Sequence, residues 1–204
     1  MKTAIKILLF LLPTIVSSQS TLPYKNKLPK IKSNGTIEMP DKTTIKIEGF
    51  NDKDKTVFFI VRHAEKDTAG GTNADLNAIG RGRAKALVTI FKKITIDNVY
   101  STDKPRTRNT AKPMADAKHH MIEIYDAKKQ AELLSSLVET HKGQKIFMVG
   151  HSNTVPQIVN ILLRGSPDGK GGDSEKEFSE ADYSRLYIIV VRKIGDAAVQ
   201  LIRF

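Results

Sequence analysis

Apolar positions along the chain follow two periods, and the alternation between them sets out the architecture. Val57 to Val61 is an unbroken apolar run, the length of a strand buried on both faces. Polar residues Arg62, His63, Glu65 and Lys66 follow where that strand should end. A first helix is expected over about 78–92, with Ile79, Ala86, Leu87 and Ile90 on its apolar side. Asn73, Asp75 and Asn77 precede it as turn and capping side chains. A second strand is expected over 96–100. A second helix runs from Pro105 through about 117, with Asp103 or Lys104 as its cap and the proline in its first turn. A third strand is placed at 121–125. A third helix follows at 128–141, with Leu133, Leu134, Leu137 and Val138 as its stripe. The fourth strand, 145–149, ends in Gly150-His151, and the fourth helix, 154–164, ends at Gly165. A charged, glycine-rich loop over 166–181 leads to two closing strands, 186–192 and 199–204, expected as an antiparallel pair.

Strands that alternate with helices are joined by right-handed crossovers into a mainly parallel sheet. The expected fold class is therefore α/β: a three-layer α/β/α sandwich with a mostly parallel central sheet and an antiparallel edge. The organisation expected is a signal peptide over 1–18, an N-terminal extension over 19–54, and one domain over 55–204. Lys2 and Lys6 give a positive start, Ile7 to Val16 is almost wholly apolar, and Ser17-Ser18 are small. That is the pattern of a secretory signal. The run is short and broken by Pro13, so no stable membrane span is expected in the mature chain. An uncleaved anchor is the alternative. Residues 19–55 are polar and lysine-rich, with alternating stretches at 36–38 and 43–48 that fit a hairpin around Pro40-Asp41. This hairpin could form an edge of the core.

Composition narrows the chemistry. The chain has no cysteine, which excludes disulfides, a thiol nucleophile and thiolate metal sites. The formal charge is +11, or +9 once Lys2 and Lys6 are removed. A basic surface attracts polyanions or anionic small molecules. The lysines are scattered, aromatics are only 6% of residues, and no nucleic-acid motif stands out. A phosphorylated substrate explains the charge better than nucleic acid, which is not expected as a partner. Export to the periplasm or outside the cell follows from the signal pattern. Nothing in the sequence specifies an oligomeric state.

Three strand ends carry the candidate chemistry. The first delivers Arg62 and His63. The second leads through Ser101 to Arg106 in the opening turn of its helix. The fourth delivers Gly150, His151, Ser152 and Asn153. Ligands of open α/β sheets bind beyond the carboxyl ends of the strands. Arginine forks bind phosphate oxygens in pairs, and helix N-termini add backbone N–H groups. A neutral imidazole is a nucleophile, and adjacent guanidinium charges keep it neutral. Such a set transfers a phosphoryl group with cations from side chains, so no metal or other cofactor is expected. Each member also has a structural reading. The arginines could be ion-pair partners, and His151 could simply bond to backbone at a helix start.

The ordered set of Arg62-His63-Ala64-Glu65-Lys66, Ser101 through Arg106 to Thr110-Ala111, and Gly150-His151-Ser152-Asn153-Thr154 resembles the histidine phosphatase superfamily, also called phosphoglycerate mutase-like. Asp75 to Ala84 resembles the start of that family's first helix, and the similarity runs from about Lys55 to the C-terminus. The resemblance implies that His63 is the nucleophile and forms a phosphohistidine. It implies that Arg62, Arg106 and His151 bind the phosphoryl group, with water then attacking the phosphohistidine. The family's acid-phosphatase branch has an aspartate after its second histidine; here Ser152-Asn153 stand there. The mutase branch uses a glutamate from an insertion for which this chain has little room.

Asp126 and Glu65 are the local candidates for the acid, and either could be a structural hydrogen-bond acceptor instead. Asn153 either donates to phosphate or caps the fourth helix, and capping is the favoured reading. Ser101 and Thr110 support the pocket; His119, His120 and His141 are expected on the surface. The expected function is an exported, metal-independent phosphatase acting on a phosphomonoester. The alternatives are a non-catalytic phosphate-binding protein, a phosphohistidine phosphatase acting on a protein, and a basic envelope-associated binding module.

Overall fold

The computed structural model describes residues 28–165 and 177–204. The expected signal peptide and most of the loop over 166–181 lie outside the described residues. Nine strands and four α-helices make up the described fold. β1 (Lys30–Ile31), β2 (Thr36–Glu38) and β3 (Thr44–Lys46) form a separate antiparallel sheet in the order β1-β2-β3. The hairpin expected around Pro40-Asp41 therefore exists, but not as an edge of the main sheet. Its inward face supplies Ile31 and Ile37, which join Ile47 and Phe50 in burying against the domain.

The main sheet comprises β4 (Thr56–Arg62), β5 (Asn98–Thr102), β6 (Ile122–Tyr125), β7 (Lys145–Gly150), β8 (Arg185–Lys193) and β9 (Asp196–Arg203). Their order is β6-β5-β7-β4-β8-β9. Pairings among β4, β5, β6 and β7 are parallel, and β8 and β9 add antiparallel neighbours on one side. β4 sits inside the sheet, and all seven of its residues are buried, as an apolar run without alternation requires.

Alternate residues of β4 feed two cores. Val57, Phe59 and Val61 pack with Leu87 and Ile90 of α1 (Ala78–Ile90) and with Ala111 and Met114 of α2 (Pro105–Lys118). Phe58 and Ile60 pack with Leu134 and Leu137 of α3 (Gln130–Thr140) and with Ile158 and Leu162 of α4 (Thr154–Arg164). Helices thus cover both faces, giving the three layers expected.

Local differences from expectation have physical causes. Ile79 is 51% exposed rather than on the buried side of α1. The inward face begins instead at Gly80, because the helix start is drawn onto the backbone of Glu65. A Cβ on Gly80 would overlap the Glu65 carbonyl oxygen. Asn77 caps this helix, its Oδ1 accepting from Gly80 N at 2.9 Å. α1 ends at Ile90. The following turn buries Phe91 and Ile94 and presents both carbonyls to the Lys118 ammonium, at 2.9 and 2.7 Å. β5 begins two residues later than expected, because Asp97 Oδ2 takes the Lys145 N–H as a side chain ahead of the ladder. Among the described residues, no helix is long and apolar enough to cross a membrane.

Candidate active site

Neighbouring strands β5, β7 and β4 end side by side, and their carboxyl ends carry the site. Arg62 pairs with Gly150 across β4 and β7, and the His63 N–H continues the ladder to the Gly150 carbonyl at 2.9 Å. Gly150 has to be glycine. A Cβ there would lie 2.7 Å from Thr154 Oγ1 and 3.2 Å from the Tyr125 hydroxyl. The two histidines that follow these strands meet edge to face, with ring centroids 5.5 Å apart and planes at 67°.

His63 is 3% exposed. Its Nδ1 lies 2.8 Å from the Ala64 carbonyl oxygen. A carbonyl only accepts, so Nδ1 carries the proton and the neutral ring keeps its lone pair on Nε2. Burial pushes its pKa down to about 3, helped by the charges of Arg62, Arg106 and His151 and opposed by the Ala64 hydrogen bond. His151 falls to about 4, first through burial and then through Arg106, Arg62 and Lys104.

A hydroxyl chain orients His151. Thr107 Oγ1 donates toward the carbonyls of Thr102 (2.8 Å) and Lys104 (2.9 Å) and therefore accepts from Thr102 Oγ1 at 3.0 Å. Thr102 has one hydroxyl proton, so it accepts from His151 Nε2 at 2.8 Å. Thr154 fixes the other side of this residue, with its Oγ1 accepting from His151 N at 2.8 Å.

Arg62 is 3% exposed, and its Nη1 donates to the carbonyls of Ser179 (2.8 Å) and Asp182 (3.3 Å). Its Nη2 lies 3.3 Å from Glu180 Oε1, and its guanidinium carbon sits 4.3 Å from the centroid of the Tyr183 ring. Arg106, in the first turn of α2, donates from Nη1 to Thr72 O at 2.9 Å. Burial and the Arg62 charge push its pKa down. Thr110 ties the two strand ends together, with Oγ1 accepting from Ala64 N and donating to Arg106 O. The Nε atoms of both arginines are buried with no partner among the described residues. Two orphaned cationic donors beside an unprotonated imidazole nitrogen fit the oxygens of a phosphoryl group.

The structure thus brings Arg62, His63, Arg106 and His151 together, and gives the remaining candidates other surroundings. Glu65 accepts from Arg83 through Nε and Nη2, the shortest contact being 2.7 Å, in a pair whose side chains are 16% and 9% exposed. Asp126 is exposed and caps the turn before α3, accepting from Lys128 N at 2.8 Å. Both expected acids therefore have structural work, and neither offers a free carboxyl to the site. Asn153 is exposed at the cap position of α4 but makes no side-chain hydrogen bond to it, because its backbone is already helical there. Lys104 likewise stands at the cap of α2 without a side-chain bond. Ser101 is buried and donates to Thr102 O.

Three contributors were missed from sequence: Thr102, Tyr183 and Glu180. The signal for the last two lay in pairing. β8 runs antiparallel to β4 with Leu186 opposite Val61, so residues just before β8 fall beside the end of β4. The Tyr183 ring centroid lies 6.0 Å from that of His63. Among the described residues, no group of three or more histidine or carboxylate side chains is placed to hold a metal ion.

The family model of the histidine phosphatase superfamily (branch 1) matches residues 58–129. These include Arg62, His63 and Arg106. Solved structures agree in fold. The protein histidine phosphatase SixA complexed with tungstate is 14% identical, with a TM-score of 0.56 over 72% of this chain and 96% of its own. A putative alpha-ribazole-5'-P phosphatase from Escherichia coli K-12 is 14% identical, with a TM-score of 0.57 over 73% and 96%. A putative phosphohistidine phosphatase SixA from Nakamurella multipartitia is 17% identical, with a TM-score of 0.51 over 72% and 94%. No curated protein matches the sequence significantly. The superfamily is one of phosphatases, and the histidine phosphatase match covers the nucleophile candidate and both arginines. The match ends before His151, which joins the site through β7.

Proposed function

We propose that the protein hydrolyses a phosphomonoester through a phosphohistidine on His63, without a metal ion. The observation that carries this is the hydrogen bond from His63 Nδ1 to Ala64 O, which leaves Nε2 as the free base beside two guanidinium Nε donors that have no partner among the described residues. The Nε2 lone pair forms a bond to phosphorus as the ester P–O bond breaks. The oxyanion charge spreads over oxygens held by Arg62 and Arg106, and by His151 once the bound anion has drawn a second proton onto its ring. Water then attacks phosphorus, the N–P bond breaks, the electron pair returns to Nε2 and phosphate leaves.

The test is p-nitrophenyl phosphate hydrolysis by the chain from Gln19 with EDTA present, beside His63→Ala. Turnover in the wild type alone supports the reading, as does an acid-labile phosphoenzyme absent from the variant. Equal negligible rates in both would remove it in favour of a phosphate-binding protein.

A second reading, a phosphohistidine phosphatase acting on a protein, is favoured by the commitment of Glu65 and Asp126 to structural bonds. A phosphoramidate nitrogen leaves with little acid help. Faster turnover of a phosphohistidine protein than of any ester would select it. Export is part of the proposal. Its support is the basic start followed by the apolar run Ile7 to Val16, and a mature chain beginning at Gln19 outside the cytoplasm is the expected product.

A further inference from the structure

An alkyl ester needs a proton on its departing oxygen, and the two carboxylates nearest in sequence to the nucleophile motif and third strand are committed elsewhere. Two others near the site are committed as well. Asp75 accepts from Asn109 and from Leu76 N, each at 2.6 Å, and Asp182 from Arg185 Nε at 2.6 Å. Glu180 stands apart from these. It belongs to the stretch 177–184 that roofs the end of β4. The backbone of that stretch is pinned through the Ser179 and Asp182 carbonyls to Arg62, and through Phe178 N to Ser152 O at 3.0 Å. Its side chain, however, is 67% exposed and rests between Arg62 Nη2 (3.3 Å) and Lys66 Nζ (3.2 Å).

We propose that Glu180 is the proton donor to the leaving group, and that its contact with Arg62 and Lys66 is the resting position it leaves when substrate binds. This rests on the phosphatase reading above. The argument is one of shared cations. In the free protein the carboxylate occupies the guanidinium face that a phosphoryl group requires. Burial raises its pKa, but the Lys66 hydrogen bond and the Arg62 and Lys66 charges outweigh that and hold the group ionised. An arriving phosphoryl group takes Arg62 and places like charge beside the freed carboxylate. Both changes favour the protonated form. The pinned backbone keeps that carboxyl at the mouth, on the solvent side, where a leaving group departs.

The protons balance around the cycle. A monoester bound as its monoanion gives its proton to the Glu180 carboxylate and becomes the dianion. His63 Nε2 attacks, the P–O bond breaks, and the departing oxygen takes the Glu180 proton to leave as an alcohol. Water then attacks the phosphohistidine and returns one proton to Glu180. Its hydroxyl stays on phosphorus, and the N–P electron pair goes back to Nε2. The hydrogen phosphate takes that proton from Glu180 and leaves as dihydrogen phosphate, and the Glu180 carboxylate returns to Arg62 and Lys66.

Glu180→Gln removes the proton and the charge but keeps the shape, at an exposed position where folding is not at risk. Its kcat/KM is measured against wild type on p-nitrophenyl phosphate, whose leaving group departs unaided, and on glycerol 2-phosphate, whose alkoxide does not. The expected result is a rise of about 10²-fold in the ratio of aryl to alkyl kcat/KM, the size of one general-acid contribution. An equal loss on both esters would assign Glu180 to loop position, and an equal gain on both would make it a resident anion that only blocks Arg62. Either overturns the proposal while wild-type, His63-dependent turnover stands. Absence of wild-type turnover on both esters would instead remove the phosphatase reading, and the donor with it.

Discussion

The imidazoles of His63 and His151 meet edge to face at 5.5 Å, and both are held neutral. One presents its free nitrogen because its other nitrogen donates to the Ala64 carbonyl. The second is tied through Thr102 and Thr107 to backbone carbonyls. Burial is the largest cause of neutrality in each, with Arg62 and Arg106 adding to it. The two residues are 88 positions apart and meet because β4 and β7 are neighbours.

This pairing fixes a pH profile. An ordinary histidine titrates near about 6.5. Here the free-enzyme limbs lie at about 4 for His151 and about 3 for His63. Values of kcat/KM on p-nitrophenyl phosphate should not fall as pH drops through 6.5 and should be lost only toward pH 3, where His63 takes up its proton. A limb at the ordinary histidine value would contradict the buried neutral pair.

The same shift has a sign for stability. Folded pKa values are depressed, so between about 6.5 and the folded values the unfolded chain binds more protons. The contribution is fully present above about 6.5 and is lost as pH falls toward 4 and then 3. Denaturant midpoints should therefore drop between pH 7 and pH 4.5, and less so in His63→Gln, which has nothing to protonate there.

Anion binding should pull the other way. A dianion in the site favours a protonated His151, so binding takes up protons. Sulfate keeps its double charge through this range, and its inhibition constant should tighten from pH 8 to pH 5. His151→Gln should flatten that slope.

Arg62 has two tasks, holding the roof and meeting the phosphoryl group. Arg62→Ala should lower kcat/KM by about 10²–10³-fold, the loss typical of one preorganised donor. It should also open the roof, read as faster proteolysis within 177–184, whereas Arg106→Ala should lose activity with the roof intact.

Glu65 and Arg83 make a nearly buried pair under the start of α1. Glu65→Ala removes the carboxylate from the buried Arg83 guanidinium, whose Nη1 also donates to Phe204 O, and should lower unfolding free energy by about 3 kcal/mol. Exposed Asn153 makes no cap bond, so Asn153→Ala should change stability by less than about 0.5 kcal/mol.

Sequence by itself determined the layer order and the strand-borne residues. Periodicity records burial, so the unbroken run Val57 to Val61 announced an interior strand, and the residues after each strand were placed by topology at one edge of the sheet. It also determined the orphan problem of the acid, since no carboxylate follows His151 directly. Tertiary structure decided which side chains were already engaged. Glu65 and Asp126 could each have served until Arg83 and the Lys128 amide claimed them. It alone decided that Thr102 orients His151 and that the stretch before β8 closes over β4, bringing Glu180 and Tyr183 to Arg62. The physical reason is that burial leaves a local periodic trace in a chain. A hydrogen-bond partner more than a hundred residues away leaves none until the antiparallel pairing of β8 with β4 sets its register.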